Sequence, residues 1–233
     1  MQALFYRLDK FFYKGQNAMK FTIKCSVFNR LAAIPTFFEP TTPEEIRQQL
    51  TCVRLENFNG KSFAIATNQK IAAVEYLGLT NEQNGIAHVI IDPVLIEQCK
   101  KEIPFDSYLE IVTIPEIAFA TAKTMFGYVY KNEATKDNPC SWLDENIMDE
   151  WRTWIPDGPV KENTGPMYMN LDHVQALAQS SPSGKIVFPL FIDIKKPVVL
   201  RDREFSEWVG LFMPNPGVNE PDAKAAEVPE WWY

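Results

Sequence analysis

Met19-Lys-Phe-Thr-Ile23, Ser26 to Pro35, Leu50-Thr-Cys-Val-Arg-Leu55, Asn57-Phe-Asn-Gly60, Ser62-Phe-Ala-Ile-Ala-Thr67 and Ile71-Ala-Ala-Val-Glu-Tyr-Leu77 form the stretch that decides the fold. The first piece alternates apolar and polar residues, the period of a half-buried strand. Ser26 is a suitable helix cap, with Val27, Phe28, Leu31 and Ile34 on one face and a stop near Pro35. Asn59-Gly60 between two apolar runs is a hairpin signal, because both residues tolerate positive φ. Asn68-Gln69 is a second turn. The segment therefore predicts a strand, a helix and a three-stranded meander.

The same order recurs downstream. Ala87-His-Val-Ile-Ile91 reads as a strand, and Asp92-Pro93 as the cap and first residue of a helix carrying Val94, Leu95, Ile96 and Cys99. Leu109 to Ile114, Ile117 to Thr121 and Met125 to Tyr130 follow as strands. A third copy starts with Pro166 to Met169 and a short helix holding Leu171, Val174 and Leu177. Ser180 to Gly184 breaks that helix, and Lys185 to Phe188, Pro197 to Leu200 and Trp208 to Met213 are strands. Internal repetition fixes a fold better than any single motif. The expected class is α+β: repeated strand-helix-three-strand units forming antiparallel sheets with helices on one face. Two units side by side place their helices on one face of a continuous sheet. Sheets joined edge to edge leave no open edge, and the helices then line the inside of a closed surface.

The expected boundaries are an N-terminal appendage (1–18, with a short amphipathic helix on Leu4, Phe5, Leu8, Phe11 and Phe12), two repeat units (19–131), an acidic insert (132–163), a third unit (164–216) and an acidic, aromatic-ended tail (217–233). A helix is expected around Trp142 to Trp151.

Of 233 residues, 46% are hydrophobic and 23% charged, which suits a packed core and excludes wholesale disorder. No apolar run approaches the roughly 18 residues of a membrane span. Arg7, Asp9 and Lys10 interrupt the N-terminal aromatics, so no secretory signal is expected. Cys25, Cys52, Cys99 and Cys140 form no CxxC pair, and there are two histidines, so a zinc site and a disulfide framework are not expected. Buried apolar cysteines in a reducing cytoplasm are. The net charge is −7, and residues 133–162 hold eight acids against three bases. His88 and His173 have no readable nucleophilic partner, and Gly60 and Gly85 are turn glycines, not a phosphate loop. The chain reads as a non-enzyme without metal or cofactor.

Several segments resemble bacterial and phage DNA polymerase sliding clamps (the beta subunit). Met19 to Ile23 is similar to the opening strand of that family. Phe63 to Val74 is similar to its strand-turn-strand signature, in which an Asp-Gly turn stands where this chain has Asn68-Gln69. Gly85 to Lys101 resembles the second strand and helix, Glu150-Trp-Arg-Thr-Trp-Ile-Pro156 the interdomain linker, and Val209 to Pro214 the C-terminal Met-Pro strand. Family chains carry three domains of two units each; about three units are legible here, and the chain continues past Met213-Pro214.

The resemblance implies a processivity factor that encircles duplex DNA without reading sequence, assembles from several copies and tethers a polymerase or other replication protein. Lys24, Arg30, Lys100 and Lys101 would meet phosphates from the inner helices. Val199, Leu211, Met213 and Pro214, with the terminal aromatics Trp231, Trp232 and Tyr233, would take a partner. The alternative is a phage-type clamp-fold protein that closes no ring and binds or blocks a host replication or defence protein through its acidic insert or aromatic tail.

Overall fold

The computed structural model describes residues 19–36, 52–68, 70–114, 117–123, 129–133, 151–154, 171–187 and 197–212. The expected appendage helix, the Trp142 helix, the Pro166 strand and the tail lie outside the described residues, apart from Trp151 itself.

The first unit is β1 (Met19–Lys24), α1 (Cys25–Thr36), β2 (Cys52–Phe58), β3 (Lys61–Thr67) and β4 (Ile71–Leu79). The second is β5 (Gly85–Ile90), α2 (Pro93–Glu102), β6 (Tyr108–Ile114), β7 (Ile117–Lys123) and β8 (Val129–Glu133). The third contributes α3 (Leu171–Ser180), β9 (Ile186–Val187), β10 (Val198–Asp202) and β11 (Trp208–Phe212). Local chemistry sets these elements. Asn59 and Gly60 both have positive φ (51° and 73°), as the β2–β3 hairpin requires. Asp92 accepts from the Val94 amide at 2.7 Å and Pro93 opens α2, as the cap signal predicted. Helix α1 begins at Cys25 and carries Pro35 inside its last turn instead of stopping before it. The last strand of the second unit lies at 129–133, a few residues later than its apolar run suggested.

Among the described residues all strand pairs are antiparallel, and the strands form two sheets, β1-β6-β7-β8 and β5-β2-β3-β4-β11-β10-β9. The first two units thus exchange their opening strands: β1 joins the meander of unit two, and β5 that of unit one. The continuous sheet arises instead between units one and three, where β4 and β11 pair over Ile71–Glu75 and Trp208–Phe212.

All three helices share one core with one face of the seven-stranded sheet. That face presents Val53, Leu55, Ala64, Ala66, Ile71, Ala73, Ala87, Val89, Leu200, Trp208 and Phe212. Phe21, Ile23, Leu109 and Ile111 bring the other sheet into the same core. Helix α1 lies between α2 and α3 and touches both. Its outward stripe, Ser26, Asn29, Arg30 and Ala33, is half-buried, while α2 and α3 keep exposed faces. The helices form a layer with a solvent side, not a buried filling.

Gly210 shows how closely α3 sits on β11. A Cβ there would lie 2.5 Å from the Trp208 ring and 3.3 Å from a Leu177 methyl. Gly210→Ala is expected to cost about 1–3 kcal/mol through overpacking, read as a lowered urea midpoint with unchanged slope.

Candidate functional site

Two surfaces bear on function: the solvent side of the helices and the opposite face of the seven-stranded sheet at the β4–β11 seam.

On the helix side, folding supplies carboxylates to most of the predicted cations. Lys24 Nζ lies 2.8 Å from Asp106 Oδ2 and 5.7 Å from the Tyr108 ring centroid; the Asp106 hydrogen bond raises its pKa. Arg30 donates to both Glu75 oxygens at 3.0 and 2.9 Å and to the Ser180 carbonyl at 3.2 Å, stitching α1 to β4 and α3. Burial pushes the Glu75 carboxyl up, against the pull of Arg30. Lys100 pairs with Glu97 one turn earlier at 3.0 Å. Lys101 is exposed and has no ion partner among the described residues. The exposed face of α3 offers Asp172, Gln175 and Gln179 and no cation. A cleft of about 390 Å³ beside the start of α1 holds Lys24, Arg30, Glu75, Asp106 and Glu207 together. The helix side is therefore close to charge-balanced. Sequence reasoning found the cations but missed Glu75 and Asp106, because nothing local marks them as partners.

On the opposite face, cross-strand register lines up side chains from separate units. Thr67 faces Ala72, Ala72 faces Leu211, and Leu211 faces Val199. Ala72, Val209 and Leu211 form a small apolar cluster with Val199 packed against it and only partly buried. The structure thus brings two of the predicted partner residues, Val199 and Leu211, directly together. Met213, Pro214, Trp231, Trp232 and Tyr233 lie outside the described residues. The adjoining β3–β4 turn is held by Asn68, whose carboxamide oxygen accepts the Lys70 and Ile71 amides at 3.1 and 3.0 Å. A side-chain acceptor at position 68 is what an Asp in an Asp-Gly turn would also supply.

The segment Trp151–Trp154, a single 3₁₀ turn, docks on this same face. Trp151 Nε1 donates to Glu56 Oε2 at 3.2 Å, and Arg152 pairs with Glu56 Oε1 at 2.6 Å. Arg54, 1% exposed, reaches the same carboxylate at 3.3 Å. The Trp151 ring meets Phe63 edge-on at 5.5 Å, and the Arg152 guanidinium lies 4.3 Å from the Phe58 and Trp151 ring centroids. His88, opposite Arg54 in the ladder, is pushed down to about 4 by burial and by that guanidinium, so it stays neutral near pH 7. Among the described residues no group of three or more His, Cys, Asp or Glu is placed to hold a metal ion.

No protein-family model matches the chain, and no curated protein matches it in sequence. Solved structures do. The DNA polymerase III beta subunit from Thermotoga maritima superposes with a TM-score of 0.58 at 9% identity, over 86% of this chain and 66% of that one. The fold is that of a DNA polymerase sliding clamp. A Pseudomonas aeruginosa sliding clamp bound to griselimycin gives 0.55 at 11% identity, over 87% and 67%. Another structure of a sliding clamp from that organism gives 0.53 at 12%, over 84% and 66%. This chain spans about two thirds of the length of these clamps. In clamp-fold terms, the helix layer is one wall, and the seam with its small apolar cluster belongs to the other. No helix among the described residues is long and apolar enough to cross a membrane.

Proposed function

We propose that this chain is a clamp-type processivity factor of the cytoplasm, which encloses duplex DNA as an assembly of several copies and tethers a polymerase or other replication protein. It performs no chemistry and needs no cofactor. Residues 19–131 and 164–216 are its clamp-like parts, with 132–163 an acidic insert and 217–233 a tail. The observation that carries this reading is the β4–β11 pairing, which joins two units edge to edge while, among the described residues, α1, α2 and α3 all stay on one side. A wall built this way can be continued by repetition. Strand β8 holds in unit two the place that β4 holds in unit one, and no strand lies beside its outer edge among the described residues. A second copy would pair there. Val199, Leu211, Met213 and Pro214, with Trp231, Trp232 and Tyr233, would dock the protein partner on the outer face.

Lys24, Arg30, Lys100 and Lys101 would face the duplex, but with unequal weight. Salt dependence of phosphate contacts scales with the number of cations engaged. Lys101 is the one without a carboxylate partner among the described residues, so Lys101→Gln is expected to lower the log–log salt slope of DNA affinity by about 0.9 per copy. Lys24→Gln and Lys100→Gln should change it less. Fluorescence anisotropy of a labelled duplex across a salt series measures this. Equal effects from all three lysines would contradict the assignment.

The charge-balanced helix side favours a second reading, a phage-type clamp-fold protein that closes no ring and binds a replication or defence protein of its host. The acidic insert, with eight acids between 133 and 162, supports it. Under that reading duplex affinity is absent at every salt concentration, and reversing the insert's charge abolishes partner recovery.

A further inference from the structure

Asn-Gly occurs twice in the chain, at Asn59-Gly60 and Asn84-Gly85. Folding brings the two pairs together: the Asn59 amide donates to the Asn84 side-chain oxygen at 3.0 Å. Both asparagines are exposed, but their backbones are held differently. Asn59 and Gly60 have φ of 51° and 73° in the β2–β3 turn, and the Gly60 carbonyl accepts the Thr80 amide at 3.0 Å. Asn84 has a negative φ and stands at the entry to β5, an outer strand of the seven-stranded sheet. Gly85 has no room for a side chain, because a Cβ there would overlap the Met19 sulfur. Met19 belongs to β1 in the other sheet, so this glycine sits where the two sheets meet.

We propose that Asn84 is a modification site, which loses its amide nitrogen through a cyclic imide formed with Gly85 while Asn59 is spared. The Gly85 nitrogen gives its proton to solvent hydroxide and attacks the Asn84 Cγ. The N–Cγ bond forms, the Cγ–Nδ2 bond breaks, and ammonia leaves with a proton from water. Water then opens the imide at one of its two carbonyls. Addition at Cγ restores the ordinary peptide link with an aspartyl side chain. Addition at the backbone carbonyl leaves the chain running through Cβ, an isoaspartyl link. Overall one amide and one water give one carboxylate and one ammonium, and no electrons change hands. Two features select position 84. Gly85 has no Cβ to shield its nitrogen, and the Asn59 amide points at the oxygen on which negative charge develops as that nitrogen adds. The hairpin protects Asn59. An imide fixes ψ outside the left-handed region this turn demands, and closing it would break the Thr80–Gly60 hydrogen bond. The consequence falls on β5. An isoaspartyl link adds one backbone atom just before Gly85, which faces Asn57 in the ladder and has Met19 against it, so the start of β5 loosens from β2. This assignment is independent of DNA binding.

The test incubates the full chain at mildly alkaline pH, folded and in urea, and maps its peptides by mass spectrometry, with isoaspartyl links counted by enzymatic carboxyl methylation. In urea the two Asn-Gly pairs should convert at equal rates. In the folded protein position 59 should convert about tenfold more slowly than position 84, the factor that one extra hydrogen bond imposes. Hydrogen exchange across Gly85–Ile90 should rise with the isoaspartyl fraction. Asn84→Gln should abolish both changes, because its side chain would have to close a larger ring. Equal conversion of positions 59 and 84 in the folded chain, faster conversion at 59, or no conversion at 84 once the urea sample has converted would overturn the proposal. Unchanged exchange in a converted sample would overturn its consequence for β5. The wild-type comparison decides the matter even if Asn84→Gln fails to fold.

Discussion

Glu56→Gln is expected to remove about 3–5 kcal/mol of folding stability, the usual cost of taking one partner from a buried ion pair. The size follows from what Glu56 holds. Its two oxygens take Arg54 and Trp151 on one side and Arg152 on the other. Arg54 is 1% exposed, so glutamine leaves that guanidinium beside a neutral group in a dry site. A single domain holds about 5–15 kcal/mol in all, so the variant should unfold at a much lower urea concentration. Arg152→Met is expected to cost less, because its side chain is one-third exposed. In a double-mutant cycle the two changes should be far from additive, since they remove the same contact. Additive effects would show that Trp151 and Arg152 hold the sheet by packing alone.

Asp202→Ala should be the next most damaging change, at about 3 kcal/mol, on the scale of lost hydrogen bonds to a charged acceptor. Asp202 organises the end of the third unit. Its carboxylate accepts from the Ser181 and Ser183 hydroxyls and from the amides of Ser183, Glu204 and Phe205. Burial alone would raise its pKa, but these hydrogen bonds outweigh it and hold the group well below the usual 3.8. The sign of the pH effect follows. The folded state favours the ionised form, so the contribution is complete above the unfolded pKa and fades as pH falls below it. Urea unfolding at pH 7 and pH 3 should show a large gap between wild type and Asp202→Ala that shrinks in acid. A gap independent of pH would assign the loss to packing.

Local features of the fold were legible where chemistry is local. Asn59-Gly60 specified its hairpin, Asp92-Pro93 its helix start, and the spacing of Val27, Phe28, Leu31 and Ile34 the buried face of α1. The exchange of β1 and β5 was not legible. Alternation tells which side of a strand is buried and says nothing about its neighbour, and Met19 pairs with Thr113 far along the chain. The same reason hid the electrostatics of the helix side. Lys24 and Asp106 are 82 residues apart, and Arg30 and Glu75 are 45 apart. A cation is visible in a sequence; the carboxylate that folding brings to it is not. Val199 and Leu211 came from the clamp resemblance, and nothing local in their strands marks them as opposite one another. Glu56 was passed over because a lone acid in an apolar strand gives no sign of the tryptophan and arginine it will meet 95 and 96 residues later.

The central claim is that copies of this chain continue the β4–β11 wall into a closed ring with helices inside. Particle images of the purified full chain test it most directly. The account predicts annular particles of several copies with a central opening wide enough for a duplex. Compact single-copy particles without an opening, at every concentration up to tens of micromolar, would contradict it.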